Sequence, residues 1–355
     1  TKNKDALRMI DQTLTSMRLG GIYDHIGYGF HRYSTDVQWL VPHFEKMLYD
    51  QAMILEALVE AYQVQSKDLF RETADEVHFY IQEVLLSKDG GLFSAEDADS
   101  EEGEGAFYQW SSDELKNILT SDEYSFFSHV YSIEEEGNFL EETTKDKNGK
   151  NIIHLKDEIS SFSSTFSLTA EMITSEASRI KEKIKVQRNQ RRRPSLDDKI
   201  LTDWNGLMIS SLAKGYRVFN NPDYLNTARN GFEFIKTNMI AEDYSLLHCY
   251  RNGKVAIPGL IDDYSFLTKA CIDLYEATLN PDFLNYGVGI CRKMIELFWD
   301  DERGSFFATR KDDSDVIVRQ KNLLDGALPS GNSVGLYLSL IHISEHTRPR
   351  LLSYA

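Results

Sequence analysis

Three stretches of this chain spell the same pattern, and that repeat constrains the fold more than any other feature. Leu58-Val59-Glu60-Ala61-Tyr62 precedes Lys67-Asp68-Leu69-Phe70 and reaches Gly90-Gly91-Leu92-Phe93. Ala213-Lys214-Gly215-Tyr216 precedes Asn221-Pro222-Asp223-Tyr224-Leu225 and reaches Tyr244-Ser245-Leu246-Leu247. Asp273-Leu274-Tyr275 precedes Asn280-Pro281-Asp282-Phe283-Leu284 and reaches Gly304-Ser305-Phe306-Phe307. The aspartate-to-strand distances (68 to 93, 223 to 247, 282 to 307) agree within one residue. Such self-similarity marks a repeated supersecondary unit.

Each unit holds two unlike helices. The first is apolar nearly all round: Ala52 to Leu55 with Ala57-Leu58-Val59 leaves only Glu56 and Glu60 polar, and Leu207 to Ala213 and Phe266 to Ile272 behave alike. A helix of that kind is buried on most sides. The second steps by three and four through Phe70, Ala74, Val77, Ile81 and Val84, and again through Leu225, Ala228, Phe232, Ile235 and Met239 and through Leu284, Gly287, Cys291, Met294 and Phe298. That stepping is amphipathic, and Asn-Pro-Asp suits its start, with proline in the first turn. Buried first helices and one-sided second helices describe an inner and an outer ring, whereas both helices of a solenoid repeat are normally amphipathic.

The expected fold is therefore all-α, an incomplete (α/α)6 toroid with short β-hairpins, spanning residues 1–335. A long insertion occupies about 95–200, in which 133–165 reads as loop around an Asn148-Gly149 turn and 168–190 as an amphipathic helix. Six hairpins need twelve helices, and the periodicity supplies roughly eight or nine. The chain opens on threonine and turns helical almost at once, so it reads as an internal fragment. Residues 339–355, which include Ile341-His342-Ile343-Ser344-Glu345-His346, break the pattern and resemble the translation of a sequencing-adapter read-through. They are set aside as a non-native tail.

The net charge of −17 argues against sequence-independent nucleic-acid binding, which depends on neutralising phosphates. No apolar run is long enough to span a membrane. Three cysteines without a C-x-x-C fit a reducing, cytoplasmic compartment better than a disulfide framework.

Chemistry concentrates between Gly20 and Gln51, where His25, His31 and His43 fall within 19 positions, with Asp24, Arg32, Trp39, Glu45 and Asp50 nearby. A glycine-rich loop carrying such residues and feeding an apolar helix suits an active-site loop. The histidine spacings of six and twelve lack the close pair that zinc wants, so no metal is expected, and acid–base work near neutrality fits better. The acidic run Glu96 to Glu104 fails the EF-hand pattern, with Glu102 where glycine belongs; Asp97 and Asp99 remain candidates for the cavity. The loops leading into the other inner helices hold Asp198, Lys199, Asp203, Trp204 and Asn205, then Asp262, Asp263 and Tyr264, then Ser330 and Asn332. N-capping explains any single Asp or Ser there. Carboxylates beside an aromatic ring at two of these loops point instead to a sugar site.

Asp24-His25-Ile26-Gly27, Phe30 to Ser34, Trp39 to Gln51, Ala95 to Ser100, Asp198 to Leu207 and Pro329 to Val334 resemble the thioredoxin-domain-containing proteins related to spermatogenesis-associated protein 20. The resemblance implies a six-hairpin toroid similar to N-acylglucosamine 2-epimerase and the six-hairpin glycosidases. It also implies a thioredoxin-like domain as a partner in the full-length protein. That domain and its C-x-x-C are absent from this sequence, so the redox chemistry of the family name cannot reside here, and no cofactor is implied. The expected function is a sugar-active domain, epimerase- or isomerase-like, with His25, His31 or His43 moving protons. A hydrolase variant uses Asp203 with Asp263 or Glu45, one carboxyl kept protonated by burial. A non-catalytic scaffold for the thioredoxin-like domain is the alternative from another class. The substrate-binding set comprises Asp24, Arg32, Trp39, Asp50, Asp97, Asp99, Asp198, Lys199, Trp204, Asn205, Tyr264, Ser330 and Asn332.

Overall fold

The computed structural model describes residues 3–100, 103–140, 146–314 and 316–338. The adapter-like tail assigned to 339–355 lies outside the described residues, as do Glu101 and Glu102 of the acidic run. The helices are α1 (Lys4–Leu19), α2 (Leu48–Gln65), α3 (Asp68–Tyr80), α4 (Ser112–Ile118), α5 (Ser121–Val130), α6 (Ser163–Phe166), α7 (Ala170–Arg188), α8 (Thr202–Phe219), α9 (Pro222–Met239), α10 (Ile261–Thr278) and α11 (Pro281–Phe298). A further helical run occupies 331–338. Strands are short, and the fold class is all-α. Among the described residues no helix is long and apolar enough to cross a membrane.

The chain divides into two compact units. The first comprises Thr1–Met47, Val64–Tyr80 and Ala95–Asp197, so the long insertion clusters with the amino-terminal segment. Its strands β1 (Lys46–Met47), β2 (Ala95–Glu96) and β3 (Leu196–Asp197) form an antiparallel sheet, with Lys46 opposite Glu96 and Glu96 opposite Leu196. Within the insertion α4, α5 and α7 close over Trp110, Phe127, Tyr131, Ile180 and Ile184, all buried. The helix expected over 168–190 is α7, started by Thr169, whose hydroxyl accepts the Met172 amide.

The glycine-rich loop of this unit wraps a buried ion cluster. Arg188 donates to both Asp24 oxygens at 2.8 and 2.9 Å, and Lys46 Nζ donates to Asp24 Oδ2 at 2.8 Å and to the Tyr28 carbonyl at 2.8 Å. The Ile26 and Gly27 amides complete the Asp24 shell. A Cβ on Gly27 would overlap the Arg188 guanidinium, so the loop needs glycine there for close approach. Glu96 is satisfied by Arg193 Nε and Nη2 at 3.0 and 2.8 Å and by the Tyr80 hydroxyl at 3.2 Å.

The second unit comprises Leu48–Gln63, Ile81–Ser94 and Asp198–Ala355. Here α8 lies against both α9 and α10, and α10 lies against α11. Burial follows the sequence reading: α8 is buried continuously from Asn205 to Ala213, whereas α9 and α11 bury one stripe each. The second and third copies of the repeat thus form a two-layered arc. Asn221 and Asn280 cap α9 and α11 by accepting the Asp223 and Asp282 amides at 3.1 and 3.0 Å, with Pro222 and Pro281 in the first turn. Strands β4 (Ile200–Leu201), β5 (Leu247–Arg251) and β6 (Lys254–Pro258) make an antiparallel sheet in that order.

The strand expected at the end of the third copy, near Phe307, is a single bridge, Phe306 to Trp299, matching Leu92 to Leu86 and Leu246 to Ile240. Each bridged backbone is pinned by the next inner helix. The Leu92 amide donates to Asn205 Oδ1 at 2.9 Å, and Asn205 Nδ2 donates to the Leu92 and Leu201 carbonyls at 3.0 and 2.8 Å. The Leu246 amide donates to the Tyr264 hydroxyl at 2.9 Å, and the Phe306 amide to Asn332 Oδ1 at 2.7 Å. These bonds satisfy backbone groups that burial would otherwise leave unpaired. Asn205→Ala is therefore expected to destabilise the fold by about 3 kcal/mol, measured as a lower denaturant midpoint at unchanged slope.

Candidate active site

Asp203 stands in the first turn of α8, Asp263 in the first turn of α10, and His248 on β5. A carboxylate oxygen from each aspartate and a His248 ring nitrogen lie within 4.8 Å of one another. The architecture brings them together because successive inner helices start side by side and β5 returns from α9 to the same end. The His248 Nδ1–H donates to Asp263 Oδ1 and Oδ2 at 3.0 and 3.1 Å. The Asp203 amide donates to Asp263 Oδ1 at 3.0 Å and the Leu260 amide to Oδ2 at 2.7 Å. Asp263 is thus fully enclosed, and it fixes both the imidazole ring and the start of α8.

Burial, reinforced by the neighbouring Asp263 charge, pushes the Asp203 carboxyl up to about 8. The hydrogen bond to Asp263 raises His248 to about 9, against the opposing effect of burial. The arrangement favours the protonated form of Asp203 and the charged form of His248. His248 is 19 % exposed at its side chain. Trp204 is half-buried, its ring edge-on to Tyr49 with centroids 4.8 Å apart. Two carboxylates and an imidazole also form a donor set that suits a divalent cation. Both Asp263 oxygens already accept amide and imidazole N–H groups, however, so a cation would have to displace them.

The neighbouring loop closes on α10: the Gly331 amide donates to Asp262 Oδ1 at 2.7 Å, and a Cβ on Gly331 would overlap that oxygen. Ser330 is buried, its amide donating to Asp325 Oδ1 at 2.9 Å. Asn205, Tyr264 and Asn332 spend their polar atoms as the backbone pins. Asp198 Oδ1 accepts from Arg251 Nε at 2.5 Å, and the Lys199 carbonyl accepts from Ser94 Oγ at 2.7 Å. Asp50 sits in the first turn of α2.

The remaining candidates belong to the first unit. His25 Nε2 is bonded to the Leu19 and Gly20 carbonyls at 3.2 and 3.1 Å, and burial together with Arg18 pushes its pKa far below the usual histidine range. His31 Nδ1 donates to the Phe44 carbonyl at 3.0 Å, and burial and the Lys46 charge push it down to about 3. His43 is partly exposed, bonded to Glu104 at 2.8 Å and 3.6 Å from Glu45. Arg32 pairs with Glu45 at 2.9 Å. The Trp39 carbonyl accepts the Ile22 amide at 3.1 Å. Asp97 and Asp99 are exposed, and Asp97 Oδ1 accepts the Ala98 amide at 2.7 Å.

His248 is the one member of the trio that the sequence reading passed over. Its signal was positional, one residue beyond the Leu247 that closes the second copy of the repeat.

No protein-family model matches the chain. Among solved structures, cellobiose 2-epimerase from Spirochaeta thermophila shares 11% identity, covering 87% of this chain and 61% of that one at a TM-score of 0.47. Unsaturated glucuronyl hydrolase from Bacillus sp. GL1 shares 10%, covering 87% and 62% at 0.49. Human spermatogenesis-associated protein 20 is 34% identical over 361 aligned positions, 94% of this chain and 46% of its own length. The chain spans about half the length of the curated relatives it matches, and across that span it is a homologue of spermatogenesis-associated protein 20.

Proposed function

We propose that the chain is the catalytic domain of a sugar-active enzyme whose centre acts by general-acid catalysis, with glycosidic bond hydrolysis as its reaction. The observation that carries this reading is the burial of the Asp203 carboxyl beside the His248–Asp263 pair, an environment that favours its protonated form. A buried acid with a pKa near the working pH is what proton delivery to a leaving oxygen requires. Asp203 donates its proton to the glycosidic oxygen as the bond to the anomeric carbon breaks, and the bonding pair leaves with the departing alcohol. Water then adds a lone pair to the anomeric carbon and returns a proton to Asp203. Asp263 touches no substrate; it is a positioning residue that orients His248, whose exposed edge faces a sugar hydroxyl. Trp204 offers an apolar face to the ring.

Epimerase chemistry in the form read from the sequence asks His25, His31 or His43 to move protons. The first two are buried, bonded to backbone carbonyls, and neutral at physiological pH. For this reason we assign proton transfer to Asp203. The test is a saccharide panel incubated with the full-length protein in deuterated water. A new reducing end, lost in Asp203→Asn, is the expected result. Deuterium at C2 would replace hydrolysis with epimerase chemistry, and neither product would favour the binding scaffold.

A further inference from the structure

The inner helices of the second unit carry a polar stripe that runs on from the acid centre. Tyr49, Glu56 and Glu60 on α2, Asp203, Ser210 and Lys214 on α8, and Asp262, Lys269 and Asp273 on α10 each follow the spacing i, i+7, i+11. At 3.6 residues per turn those positions share one helix face. The stripes meet. Lys269 Nζ lies 3.2 Å from both Glu56 oxygens and 3.4 Å from Asp273, and it donates to Ser210 Oγ, which in turn donates to Asp273. Lys214 pairs with Glu56 and lies 3.5 Å from Glu60. Lys214, Lys269 and Glu56 remain 23 %, 21 % and 15 % exposed. With α9 packed on α8 and α11 on α10, these groups stay partly open to a ligand.

Seven residues from Asp203 to Ser210 place this layer about 10 Å further along the wall, at 1.5 Å per residue. Both lysines are neutralised inside the layer, and the His248 imidazolium above them is neutralised by Asp263. These stripes therefore keep no cation for a ligand carboxylate or phosphate, while their hydroxyl, ammonium and carboxylate groups match sugar hydroxyls.

We propose that this wall selects an uncharged saccharide and rejects uronates and sugar phosphates, with Glu56 as the specificity-determining residue because, among the described residues, it is the carboxylate that pairs with both lysines. The proposal rests on the reading of the Asp203 centre as sugar-active. It is tested by calorimetric or ligand-observed NMR binding of glucose, cellobiose, glucuronate and glucose 6-phosphate to the wild-type protein and to Glu56→Gln. Wild type is expected to bind a neutral sugar at least tenfold more tightly than either anion. Glu56→Gln is expected to shift that ratio at least tenfold toward the anions, and adding Lys269→Met should reverse the shift. A wild-type preference for glucuronate or glucose 6-phosphate, or no saccharide binding at all, overturns the proposal whether or not the variants fold. Turnover confined to anionic sugars and lost in Asp203→Asn would sink it while leaving the acid centre standing. Neutral-sugar binding without turnover would do the reverse.

Discussion

Asp203→Asn is expected to lower turnover about a thousandfold, the scale on which a positioned general acid contributes, while the protein stays folded. Asparagine has the shape and charge of the protonated carboxyl that the site already holds, and its amide oxygen still accepts the Trp204 amide bonded at 2.7 Å in the wild type. The pH dependence gives a second readout. In the unfolded chain the aspartate ionises near 3.9, whereas in the fold it keeps its proton to about 8. Between those values only the folded state binds that proton, so wild-type stability falls as pH rises, by about 1.4 kcal/mol for each unit of separation.

His248 works in the same direction. Its raised value, about 9, contributes stability that is complete below the unfolded value near 6.5 and is lost as pH rises through 9. Wild-type activity should therefore fall on the alkaline side, with an apparent midpoint near 8. Asp203→Asn should gain stability relative to wild type over the same window. A variant that loses activity only because it unfolds would show neither behaviour, and urea titrations at pH 6 and pH 9 decide between them.

Asp24→Asn is expected to show the opposite profile: a loss of about 3–5 kcal/mol in stability, because it leaves two buried cations without their counter-charge. Arg188 and Lys46 are 5 % and 1 % exposed at their side chains, so solvent cannot take over. Burial alone would raise the Asp24 carboxyl, but Arg188 and Lys46 outweigh it and hold the group well below the usual carboxylate range. The stability it contributes is present above the unfolded value near 3.9 and lost as pH falls below it. Acid titration of wild type and Asp24→Asn, followed by near-ultraviolet circular dichroism, should show curves that converge toward low pH. A constant gap across the acid range would mean that Asp24 stabilises the fold by packing rather than by charge.

The two substitutions also show what the sequence disclosed. The repeat, the contrast between all-round and one-sided helices, and the Asn-Pro-Asp caps were readable because periodicity and capping act over a few residues. Asp203 and Asp263 were readable for the same reason, each standing in the first turn of an inner helix. His248 was not, since only the pairing of β5 with β4, between Tyr250 and Ile200 and between Cys249 and Leu201, carries it to the start of α8. The dense loop from Gly20 to Gln51 shows the converse. Its Asp24 looks like site chemistry in one dimension, and only the arrival of Arg188 from 164 residues away, beside Lys46, makes it part of a buried ion cluster. Glu56 and Glu60 stood out in the sequence as polar exceptions on an apolar helix. Their partners on α8 and α10 follow the same i, i+7, i+11 spacing, but only the packing of the three helices brings them into contact.

The pins made by Asn205, Tyr264 and Asn332 bear on how such a chain folds. Each hairpin ends in a backbone turn whose amide finds its acceptor only on the following inner helix. A hairpin taken alone would therefore lack the acceptor for that amide, forgoing a bond that contributes about 1 kcal/mol. In a stack of independent repeats, stability accumulates copy by copy and partial stacks survive. Here each copy is completed by its successor, so the hairpins of the arc should melt together, and cutting the chain between two of them should release the earlier one as well.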